Sequence, residues 1–162
     1  IKSAAESLLK TEKDRTSLDK IEEIKTKSDP LFIWWHTLAH QIISQLSIDS
    51  GFSITGMSER VYCIEKNGKT SSGILLYVSS PGSDGTLGGL TSLVDDDILP
   101  KIVEKALQRL DNCSNDPVCS DREFNMKRQR GAACQACIMA PETTCGYQNK
   151  FLDRNLVKDT LQ

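Results

Sequence analysis

Asp29-Pro30-Leu31-Phe32-Ile33-Trp34-Trp35-His36-Thr37-Leu38-Ala39-His40 opens the segment around which the rest of the chain must fold. Asp29 is a capping side chain and Pro30 follows it, the order expected where a helix begins. Leu31, Trp35, Leu38, Ile42 and Leu46 then recur at spacings of three and four, with Ala39 and Ile43 beside them. That period predicts a core helix ending near Gly51. Upstream, residues 1–28 are polar and weakly periodic, and they read as a helical lead-in or linker to a domain spanning 29–162.

Downstream the period changes. Ile54 to Ile64 and Gly73 to Ser79 read as strands, separated by the turn-like Lys66-Asn67-Gly68-Lys69. Ile74-Leu75-Leu76-Tyr77-Val78 is nearly continuous in apolar character, which predicts a central strand covered on both faces. A glycine-rich loop runs from Ser80 to Gly89. After it Ile98, Leu99, Ile102, Val103, Ala106, Leu107 and Leu110 line one side of an amphipathic helix, with Asp96 or Asp97 as its expected cap. A short helix from Phe151 to Leu161 closes the chain. The fold class expected is α/β: a small sheet packed by amphipathic helices, with a cysteine-rich zinc-binding lobe at the C-terminal end.

That lobe holds Cys113, Cys119, Cys134, Cys137 and Cys145, five of the six cysteines. The pair Cys134-Gln135-Ala136-Cys137 lets two thiolates grip one ion from a single turn, and a tetrahedral zinc then needs two further sulfurs. Disulfides are the competing reading. Cysteine-dense secreted domains are usually short, whereas 162 residues with 38% hydrophobic content can bury a core without them. No apolar run approaches the roughly 20 residues of a membrane span. The first residue is Ile1, so a piece of a longer protein is expected.

A net charge of −2 excludes a strongly basic nucleic-acid coat. Local charge differs: Lys127, Arg128 and Arg130 precede the cysteine pair, and Lys150 and Arg154 follow it. They are candidates for touching nucleic acid or an acidic partner. The glycine loop lacks the order that sets a lysine on phosphates, and Cys63 stands where Gly68-Lys69-Thr70 would need an upstream glycine. His36 and His40 lie one helical turn apart. Thr37 occupies the place of a metalloprotease base, so the pair reads as edge residues, partner or nucleic-acid contacts, or a second metal site. A deaminase would need Pro-Cys-x-x-Cys and His-x-Glu, but Ala133 precedes Cys134 and Leu38 follows His36 by two.

Trp35 to His40, Gly73 to Tyr77, Ser80 to Leu90, Gly131 to Cys137, Pro141 to Cys145 and Asn149 to Arg154 together resemble a known family, in order from about Leu31 to Leu156. It is the C-terminal zinc-binding domain of the DrmB family of the DISARM anti-phage system, a domain type shared with MrfA-like DNA-repair helicases. The resemblance implies one structural zinc per chain on four cysteines, of which Cys134, Cys137 and Cys145 match three. Cys119 is the expected fourth, because a loop delivers its thiolate without distorting a helix, and Cys113 is the alternative. It implies a non-catalytic, cytoplasmic bacterial module partnering a DrmA-like helicase and assisting DNA engagement, with no membrane and no small-molecule substrate. The alternatives are a stand-alone DNA-binding zinc module of a repair helicase and a zinc hydrolase built on His36 and His40.

Overall fold

The computed structural model describes residues 29–79, 88–94 and 97–161. The expected lead-in over 1–28 and most of the glycine loop lie outside them. Helix α1 runs Pro30–Ser50. Its start follows the sequence: Asp29 Oδ1 accepts from the Leu31 amide at 2.8 Å, and Pro30 occupies the first turn. Its end does too, since Gly51 takes the left-handed conformation (φ 71°) that terminates helices and that a side chain would strain.

Strands β1 (Met57–Lys66) and β2 (Lys69–Val78) form an antiparallel hairpin, with Met57 opposite Val78 and Lys66 opposite Lys69. Asn67 and Gly68 both have positive φ (55° and 70°), the two-residue turn whose twist suits a hairpin. No third strand joins this sheet among the described residues. The expectation of a strand covered on both faces is therefore corrected. Ile74 and Leu76 pack inward, while Leu75 and Tyr77 alternate outward and are 48% and 42% exposed.

A short helix α2 (Gly88–Thr91) leads to α3 (Leu99–Gln108). The cap of α3 is Ile98, which makes no side-chain capping bond, and Pro100 sits in the first turn. Asp97 does not cap it, and Asp96 lies outside the described residues. The final helix α4 is shorter than expected, Arg154–Asp159, because Phe151 has positive φ (56°) and Asp153 caps the helix by accepting from the Asn155 amide at 3.0 Å.

Helix α1 is the hub. Phe32, Ile33 and Ala39 join Val61 and Phe151 in one core cluster, while Ile43 joins Phe52 and Met57 in another. A third cluster of Leu110, Ala133, Ile138, Leu152 and Val157 lies under the cysteine lobe, with Trp34 against it. Of the expected apolar stripe, Leu38 is buried but Leu31, Trp35, Ile42 and Leu46 are only half-buried. More deeply buried are His36, Thr37, His40 and Gln41, at no more than 1% exposure. A buried polar side chain is tolerated only when hydrogen-bonded. Here the C-terminal lobe supplies backbone partners: Phe151 O for His36, Ile138 O for His40, Cys137 O for Gln41 and the Asp153 amide for Thr37.

Candidate metal centre

Residues 112–153 contain little regular secondary structure and depend on specific side chains for their shape. Asp116 organises the first part. Its carboxylate accepts from the Cys113 amide at 3.1 Å and the Ser120 amide at 3.0 Å, and it pairs with the guanidinium of buried Arg154. Arg154 also donates to Leu110 O at 2.9 Å, so one side chain ties α4 to both ends of the turn after α3. In the second part the amides of Cys137 and Ile138 fold back on Cys134 O at 3.2 and 3.1 Å, making the tight turn expected of the cysteine pair.

These two loops bring four sulfurs together. Cys113 Sγ is 3.5 Å from Cys134 Sγ, Cys134 Sγ is 3.6 Å from Cys137 Sγ, and Cys119 Sγ is 3.8 Å from Cys137 Sγ. All four lie within 4.8 Å of one another. Tetrahedral zinc with bonds near 2.3 Å has sulfur edges of about 3.8 Å, so the set fits that ion. The same separations exceed the about 2.05 Å of a disulfide, and all six cysteines are unpaired. Amide donors support the sulfurs: Asn115 N to Cys113, Asn115 Nδ2 to Cys134, and Cys134 N to Cys137, each at 3.4 Å. Such donors orient ligands and stabilise thiolate.

Burial opposes the thiolate at Cys119, Cys134 and Cys137, and of these three only Cys134 escapes. Hydrogen bonds from Asn115, Cys113 and the backbone of the turn outweigh burial and lower it to about 6. Burial pushes Cys119 up to about 11, reinforced by the hydrogen bond with Cys134, and it raises Cys137 also. Four packed thiolates repel one another, and a divalent cation relieves that repulsion at a stroke.

Both contenders for the fourth position, Cys113 and Cys119, are therefore in the sulfur group, whereas Cys145 is not. Its Sγ lies 3.4 Å from His36 Nε2 and accepts from the Asn149 amide at 3.4 Å. It belongs to a separate buried group of His36, His40, Glu59 and Cys145. His36 and His40 are 0% and 1% exposed, so neither can meet a nucleic acid or partner at the surface. Arg154 is likewise buried and leaves the basic patch. Lys127 and Arg128 do stand exposed, on a turn closed by the Asn125 amide donating to Arg130 O at 3.1 Å. Arg130 is half-buried, with Nη1 3.7 Å from Met139 Sδ.

Glu59 was missed by sequence reasoning, although a signal exists. It alternates with Met57 and Val61 on the inward side of β1, where a carboxylate has no place without partners. Its Oε1 lies 3.0 Å from His36 Nε2 and 3.2 Å from His40 Nε2. Burial opposes charge on all four groups, yet their mutual hydrogen bonds prevail. His40 rises to about 10 and His36 also rises, while Glu59 is held down to about 2 and Cys145 falls to about 7.

Fold and sulfur geometry together define an α/β domain whose C-terminal lobe brings four cysteines into position to bind one metal ion. The chain belongs to the MrfA Zn-binding domain family, whose model matches residues 38–138. It is also similar to the DISARM protein DrmB of Bacillus paralicheniformis, 40% identical over 140 residues. That alignment covers 86% of this chain and 24% of the relative, so the chain spans about a quarter of the relative's length. No described helix is long and apolar enough to cross a membrane.

Proposed function

We propose that this chain is a non-catalytic, zinc-stabilised module of a bacterial, cytoplasmic anti-phage defence complex of the DISARM type, docking on a DrmA-like helicase subunit and assisting DNA engagement. The observation that carries the reading is the convergence of Cys113, Cys119, Cys134 and Cys137, all inside the residues matched by the zinc-binding family, in a chain similar to DrmB. Four sulfurs fill a tetrahedral zinc and leave no open position for substrate, which is the mark of a structural ion. The zinc fixes the loops 113–119 and 134–137 against α4 and presents the lobe as a rigid surface. The domain on this reading is 29–162, with 1–28 as lead-in. The test is co-purification of the full-length protein with its helicase subunit, beside a Cys134→Ser variant. Capture by the wild type and loss in the Cys134→Ser variant is the expected result; no capture of the wild type overturns the docking role.

A second reading, direct DNA binding, rests on the exposed Lys127 and Arg128 beside the metal lobe. It requires an affinity that falls with salt and falls again when both are neutralised. Salt-independent binding, or binding unchanged by neutralisation, removes it.

A further inference from the structure

We infer that His36, His40, Glu59 and Cys145 form a second structural site for a divalent transition-metal ion, zinc by its donor set, distinct from the four-cysteine centre. The four donors come from three regions of the chain: one turn of α1, the inward face of β1, and the loop after the cysteine pair. All four are buried, and their ligand atoms converge within 4.8 Å.

The hydrogen-bond roles of the imidazoles carry the argument. Phe151 O and Ile138 O can only accept, so Nδ1 of His36 and of His40 must each donate, at 3.1 and 3.0 Å. In neutral rings this leaves both Nε2 lone pairs aimed into one space, where they meet Glu59 Oε1 and Cys145 Sγ, themselves acceptors when ionised. A carbonyl behind Nδ1 with Nε2 facing inward is the arrangement that prepares histidine as a metal ligand. The separations agree. Zinc bonds of about 2.0–2.3 Å imply tetrahedral edges of about 3.4 Å between nitrogen and oxygen and about 3.6 Å between nitrogen and sulfur. The observed 3.0, 3.2 and 3.4 Å need open by only a few tenths of an ångström.

Charge also balances. A carboxylate and a thiolate with two neutral imidazoles carry two negative charges, which one divalent ion cancels inside a dry core. Two added protons would give the same total, but they leave Glu59 Oε2 as it stands, buried and without a hydrogen bond. An ion drawn to this carboxylate can engage either oxygen. One sulfur, two imidazoles and one carboxylate suit zinc rather than calcium or magnesium. Complete burial and four protein donors make the ion structural, not hydrolytic: it pins the hairpin and the C-terminal lobe to α1.

The test uses the full-length protein purified without added metal or chelator, with metal counted by elemental analysis and native mass spectrometry and ligands read by zinc K-edge EXAFS. Two zincs per chain with an average of about 2.5 sulfur and 1.5 nitrogen or oxygen neighbours are expected from one four-sulfur and one mixed site. His40→Gln or Cys145→Ala should then retain one zinc with sulfur neighbours alone. If either variant fails to fold, the wild-type count and EXAFS decide without it. One zinc surrounded only by sulfur overturns this inference and leaves the four-cysteine reading intact. One zinc with nitrogen, oxygen and a single sulfur does the reverse.

Discussion

Replacing Gly131 by alanine probes how the cysteine turn is anchored. A Cβ at this position would fall on the carboxylate of Asp153. That carboxylate is not free to retreat, because it accepts from the Ala132 amide at 3.3 Å and caps α4 through the Asn155 amide at 3.0 Å. Displacing it removes a helix cap, worth about 1 kcal/mol. Forcing a methyl group into packed surroundings adds about 1–3 kcal/mol. Gly131→Ala should therefore destabilise the zinc-loaded protein by about 2–4 kcal/mol, read as a lowered midpoint in urea unfolding followed by tryptophan fluorescence. Gly146 is the control: a Cβ there meets nothing within 4 Å, and Gly146→Ala should be neutral or slightly stabilising. A double-mutant cycle makes the mechanism specific. In an Asp153→Ala background the clash partner is gone, so Gly131→Ala should cost far less, a coupling of about 1–3 kcal/mol. Equal effects of Gly131→Ala and Gly146→Ala, or additivity with Asp153→Ala, would refute the reasoning.

Three further outcomes are expected. Cys134→Ser or Cys137→Ser should abolish zinc retention at the four-sulfur centre, seen as release of one equivalent to a chromogenic chelator during purification, whereas Cys63→Ser, outside both groups, should leave metal content unchanged. Arg154→Met should cost about 3 kcal/mol in urea unfolding, the lower end for a broken buried ion pair because Asp116 keeps partial contact with water. Lys127→Ala with Arg128→Ala should leave stability within about 0.5 kcal/mol. On the DNA-binding reading, fluorescence anisotropy against salt should show the slope shallower by about one for each lost phosphate contact.

What the sequence disclosed follows the range of the forces involved. The start of α1 at Asp29-Pro30, its end at Gly51 and the Asn67-Gly68 turn are fixed by interactions within a few residues, and all were legible. The buried His36, Thr37, His40 and Gln41 depend on backbone groups roughly a hundred positions away, such as Ile138 O and Cys137 O, and the inward Glu59 depends in turn on those two histidines. Polar residues at 36, 37, 40 and 41 do form a stripe along one side of the helix. Without the lobe that stripe reads as a solvent face. The placement of Cys145 was hidden for the same reason. Counting cysteines groups it with its neighbours in sequence, while its thiol is held by a helix far upstream.

The two buried groups solve one physical problem in different ways. A two-stranded hairpin is marginal on its own, and the lobe from 112 to 153 has little regular structure to satisfy its backbone. Its buried apolar residues are few, chiefly Ala132, Ala133, Ile138, Ala140, Phe151 and Leu152, and three of these are alanines. Burial of that size cannot alone offset the conformational entropy of some forty loop residues at about 1–2 kcal/mol each. The four-cysteine centre reduces that entropy by cross-linking two loops to each other. The polar stripe of α1 does the rest, since each side chain that captures a lobe carbonyl or amide also fixes where the lobe docks. Cys145 and Glu59 reach the same stripe from different elements of the chain, through His36 and His40. Helix α1 thus carries polar residues in its middle because its neighbours offer backbone and ligand atoms instead of an apolar surface.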